Sequence, residues 1–93
     1  MDTRPVVDPI AQPAATELVA RAQHVNALVA EMVSTAAPLV EPTVWNGTDA
    51  GVFRAAWPGL VNSVRTATAD LLDTASDALR SIQRTSAAQE ADG

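Results

Sequence analysis

Trp45-Asn46-Gly47-Thr48-Asp49-Ala50-Gly51-Val52-Phe53-Arg54-Ala55-Ala56-Trp57 is the stretch on which the fold turns. It holds both tryptophans and the only phenylalanine of a chain with no tyrosine. Pro38 and Pro42 precede it, so a helix arriving from the N-terminal side must end before it. Gly47 supplies backbone freedom for a reversal. Thr48 and Asp49 can cap a new helix, because their side-chain oxygens can accept from the unpaired N–H groups of a first turn. Phe53 and Trp57 are four apart, which stacks them on one face of that second helix. The local reading is a helical hairpin with an aromatic plug at its bend.

Outward from the bend, both flanks carry helical period. On the N-terminal side the apolar positions run Leu18, Ala22, Val25, Val29, Met32, Ala36 and Leu39, alternating steps of four and three. That is a heptad seam, widened by Leu28, Val33 and Val40. Glu31, Ser34, Thr35 and Gln23 take the opposite side. Pro13 suits the first turn, where a missing N–H has no helical partner, and Glu17 complements the helix dipole. The spacing predicts a first helix over about 14–38.

On the C-terminal side the seam runs Phe53, Trp57, Leu60, Val64, Ala67, Leu71, Ala78 and Ile82, flanked by Val61, Leu72, Ala75 and Leu79. Together these cover roughly 160° of the circumference, more than one packed neighbour requires. The expected second helix spans about 48–86. Pro58-Gly59 inside it should cost about 3 and about 1 kcal/mol respectively, so a kink at 58–59 or a break into two helices is expected. Residues 1–12, with prolines at 5 and 9, read as a flexible arm, and 87–93 as a flexible tail, leaving 13–86 as the hairpin domain around the 45–47 turn.

Ninety-three residues make one domain. Apolar residues are 47% but aromatic residues only 3%, and much of the apolar content is alanine, which fills little core volume. The net charge of −5 carries no basic stripe for nucleic acid and no attraction to an anionic membrane surface. There is no cysteine, hence no disulfide or thiolate metal site. No apolar run is long enough for a membrane span, and no charged-then-apolar signal segment is present.

Catalytic readings find little support. His24, the only histidine, lies off the seam with no second ligand spaced for a metal. The scattered serines and threonines have no base to activate them. Asp70, Asp73 and Asp77 form a row on the polar face, beside Asn62, Ser63, Thr66 and Arg80, and a two-helix hairpin gives such carboxylates no enclosed pocket. The reading is of a protein that is not an enzyme and needs no cofactor.

Trp45-x-Gly47 at mid-chain between two helical halves, followed by Ala50, Phe53 and Trp57 in a chain of this length, resembles the WXG family, the small ESAT-like substrates of type VII (ESX) secretion. The resemblance covers about residues 14 to 86. It implies an all-α fold: an antiparallel hairpin that pairs head-to-tail with a second hairpin into a four-helix bundle, as homodimer or heterodimer. It implies export without a cleaved signal peptide, and recognition by the secretion ATPase, with Trp45 and Gly47 in the export bend. Family members also carry a C-terminal Tyr-x-x-x-Asp/Glu on the partner chain. Here the nearest equivalent, Ile82-Gln83-Arg84-Thr85-Ser86, has isoleucine for the tyrosine and serine for the acid.

Two apolar faces too wide for one hairpin predict an interface with another chain. Its expected residues are Leu18, Val25, Val29, Met32, Phe53, Trp57, Leu60, Val64, Leu71 and Leu79. Three functions follow as expectations. One is a secreted effector or co-secreted adaptor. Another is a cytoplasmic chaperone that binds the helical N-terminal domain of a larger toxin. The last is a structural subunit of a phage or cell-surface assembly.

Overall fold

The computed structural model describes residues 6–92, the side chains of 91 and 92 excepted. It is an all-α antiparallel hairpin: helix α1 (Ala11–Ala36), a single 3-10 turn (Ala37–Val40), a connection, and helix α2 (Thr48–Asp92). Among the described residues there is no strand. The molecule is a rod of 68 × 24 × 14 Å. No helix is long and apolar enough to cross a membrane.

Helix α1 starts at Ala11, earlier than the expected 14, because Asp8 organises its entrance. The Asp8 carboxylate accepts from the Ile10 N–H at 3.0 Å and the Asp8 carbonyl from the Ala11 N–H at 2.9 Å. Pro13 then sits in the first turn, where it breaks no helical bond. The part of the arm over 6–10 lies against the far end of α2: the Val7 N–H donates to Gln89 Oε1 at 3.3 Å. Residues 1–5 of the expected arm lie outside the described residues. At its other end α1 gives way at Ala36 to the 3-10 turn that contains Pro38.

Helix α2 differs from expectation at its end, and at Pro58 the alternative of a break is the one not taken. It continues beyond 86 to Asp92, since Ala87, Ala88, Gln89 and Glu90 are sound helix formers with no breaker among them. It also passes through Pro58 and Gly59 as one helix; the break into two does not occur. Tertiary packing on both sides of Pro58 holds the helix through a position where propensity alone would end it.

The seam between the helices is built of small side chains. Its buried members are Ala15, Ala22, Val29 and Ala36 on α1, at a strict spacing of seven, and Ala50, Thr68 and Ala75 on α2. No large side chain is fully buried anywhere among the described residues. This corrects the expected seam. Ala22, Val29 and Ala36 are buried against the other helix, but Leu18, Val25, Met32 and Leu39 stay about half exposed. Alanines let the two backbones approach closely, and the bulkier positions three residues later are turned out of the contact.

Candidate functional site

Two features could carry function: the aromatic bend and one long face of the rod. At the bend, the Val44 and Trp45 N–H groups donate to the Glu41 carbonyl at 3.0 and 3.1 Å, winding the connection into a tight turn. Asn46 Oδ1 accepts from the Gly47 N–H at 2.9 Å. Gly47 has φ 120°, a conformation that side chains resist, so the glycine of Trp-x-Gly is required by the backbone itself. The Gly47 carbonyl then receives the Gly51 N–H at 3.0 Å, which opens α2. Asp49 in that first turn faces the positive end of the helix dipole.

The three aromatic rings form one column. Trp45 and Phe53 centroids are 5.7 Å apart with planes tilted by 51°; Phe53 and Trp57 are 5.3 Å apart and nearly parallel at 19°. All three rings are half-buried, and Ala50, completely buried, lies in the same first turns of α2. Arg54 Nη1 donates to the Trp45 carbonyl at 3.0 Å, tying the turn to the helix. Sequence reasoning did not single out Arg54. Its position one turn after Ala50, within side-chain reach of the bend, was the available signal.

The second feature is the exposed apolar face. Leu18, Val25, Met32 and Leu39 each follow a buried α1 residue (15, 22, 29, 36) by three positions. On α2, Phe53, Leu60, Leu71 and Ala78 stand three after Ala50, Trp57, Thr68 and Ala75. Three residues turn a helix by about 300°, which places each of these about 60° to one side of the seam. The helices run antiparallel, so the same sense of offset on each puts both rows on the same face of the hairpin. Exposure is 53% at Leu18, 44% at Met32 and 57% at both Leu60 and Leu71, and Val25 and Leu28 are exposed beside them. Of the expected interface residues, only Val29 is buried within the hairpin; Phe53, Trp57, Val64 and Leu79 are half-buried along the seam.

Elsewhere, His24, Asp70, Asp73 and Asp77 are all exposed. Asp77 pairs with Arg80, and Glu17 pairs with Arg21 at 2.9 Å, both within one helix. No group of three potential metal ligands occurs among the described residues. Compared with known proteins, the chain matches no family model, no curated protein and no solved structure.

Proposed function

We propose that this hairpin is one half of a helical bundle, built to pair with a second hairpin through the Leu18–Val25–Met32/Leu60–Leu71 face. The observation that carries this reading is the mismatch between what is buried and what is exposed. The fully buried seam takes alanines, one valine and a threonine, while Leu18, Met32, Leu60 and Leu71 are left largely in water. A chain of this mass folded compactly would expose about 5,100 Å²; this one exposes 6904 Å². Covering one face of two such rods supplies an interface of ordinary size and a core that neither hairpin has alone.

The bend supports a reading of the biological role. Trp45, Gly47, Phe53 and Trp57 resemble the WXG pattern in their order and spacing, and we read the chain as a subunit of a pair exported by a type VII system. Ile82 and Ser86 stand where family export tails carry tyrosine and an acid, so the tail signal would come from the partner chain. Whether that partner is a second copy or a different hairpin is decided by the partner's genes and by mass, not by the face alone. Expression in a host with a working type VII system, with the partner gene deleted, tests it. The chain should vanish from the medium while its level inside the cell stays normal. Undiminished export without any partner would overturn the co-export reading.

The departure at Ile82 and Ser86 also favours one second reading: a cytoplasmic adaptor that uses the same face to hold the helical N-terminal domain of a larger toxin. Retention of the chain in the cell while the toxin is exported would decide for it.

A further inference from the structure

On the side of the seam away from the apolar face, the rod carries an open groove of about 430 Å³ near the bend. It is lined by Val33, Val40, Arg54, Trp57, Val61 and the Pro58–Asn62 edge. Val33, Val40, Arg54 and Val61 each stand four residues after a seam residue (29, 36, 50, 57). That turns them by about 40° to the other side. A partner on the Leu18–Leu71 face therefore leaves this groove open.

Its chemistry is specific. The floor is aliphatic and aromatic, from three valines and one face of Trp57. The one charged residue of the lining is Arg54, which is half-buried. One nitrogen, Nη1, is engaged by the Trp45 carbonyl, and among the described residues no carboxylate pairs with it. Four further N–H donors of a planar fork remain, suited to a carboxylate. Pro58 adds a backbone acceptor. It has no N–H to give the Arg54 carbonyl, so that carbonyl lacks its ordinary helical donor at the groove wall. Asn62 contributes an amide that both donates and accepts.

Apolar floor, cationic fork and an under-used carbonyl together match a polypeptide. Its aliphatic side chain fills the valine floor, an adjacent Asp or Glu meets Arg54, and a backbone N–H reaches the Arg54 carbonyl. A lipid or other amphiphilic carboxylate has no N–H for that last position. We infer that this groove is a docking site for an acidic–aliphatic peptide segment of a partner protein, separate from the pairing face. Arg54 supplies the attraction in a chain whose overall charge of −5 would otherwise repel an acidic ligand.

A random peptide library displayed on phage and selected on the full chain tests this. The selected peptides should carry Asp or Glu next to Leu, Ile or Val. Synthetic copies should bind Arg54→Gln about tenfold or more weakly, the scale of one charge-assisted hydrogen bond. Arg54→Gln also removes the bond to Trp45, so a second variant keeps the test independent of the bend. Pro58→Ala returns an N–H to the Arg54 carbonyl and removes a helix breaker; it should melt no lower than the parent yet bind about fivefold more weakly. On binding, the methyl resonances of Val33 and Val61 should shift. The inference is overturned by a selection that yields no peptide above background or peptides without acids. Equal binding to both variants, or shifts confined to Leu18 and Leu71, would overturn it too.

Discussion

Asn26 and Thr68 face each other across the seam, Thr68 Oγ1 lying 3.5 Å from Asn26 Oδ1 and 3.0 Å from the Arg65 carbonyl of its own helix. Thr68 is 5% exposed, the one buried polar residue among the described residues. Its hydroxyl proton is best spent on Arg65, at the shorter distance, and the contact to Asn26 marks the register of the two helices. Thr68→Val keeps the shape and gives up a local bond, so it should change stability by no more than about 1 kcal/mol. Thr68→Leu adds volume where alanines have set the helices close, and should cost about 1–3 kcal/mol. Thermal melts of the two variants check the contrast.

The glycines should divide by backbone and not by position in the chain. At Gly51 and Gly59 an added Cβ would meet nothing within 4 Å, and neither has positive φ. Alanine at either should raise stability by about 0.5–1 kcal/mol through helix propensity. Gly47→Ala meets no neighbour either, yet it must hold φ near 120°, and it should lower the melting temperature. Denaturant titration of the three variants measures both signs.

Removing the ring of Trp45 takes away one end of the aromatic column and leaves Phe53 covered on one side only. The ring is half-buried, so Trp45→Ala should cost about 2 kcal/mol, below the range for a fully enclosed aromatic residue. With Trp57 replaced by phenylalanine, Trp45 emission should lie to the blue of free tryptophan; a fully solvent-like maximum would contradict the stacking.

Charges on the exposed face should act on the hairpin through its assembly and not through contacts within one chain. Leu71 is 57% exposed within one chain, so aspartate there costs little until a partner covers it. Leu71→Asp should therefore weaken association by several kcal/mol, and mass and helicity should fall together. Asp73→Asn, one exposed polar side chain for another on the polar face, should leave the mass unchanged.

The hairpin and its bend were legible because prolines at 38 and 42 and Gly47 act locally on the backbone, and because heptad spacing survives any choice of partner. The direction of the faces was not. Steps of four and three mark Leu18 and Ala22, or Val25 and Val29, as one apolar stripe, and a stripe does not state which of its two edges meets the other half of the same chain. Residue size settled that here: the alanine edge closed inward and the leucine edge stayed out. Thr68 was not among the expected seam residues; it is one because a threonine is small enough for the close contact and can satisfy its hydroxyl within its own helix. Arg54 was overlooked because its partner is a backbone carbonyl, which no pattern of side chains announces. Helix α2 overran its expected end because the tail composition lacks a stop signal.

The central claim, that this hairpin is stable only as half of a larger bundle, is tested most directly by following mass and helicity on one sample through serial dilution. Helical signal and mass should fall together, with a melting temperature that depends on concentration, and no well-folded species of 9.7 kDa should persist. A monomer that keeps its full helicity and melts cooperatively at a concentration-independent temperature would contradict it.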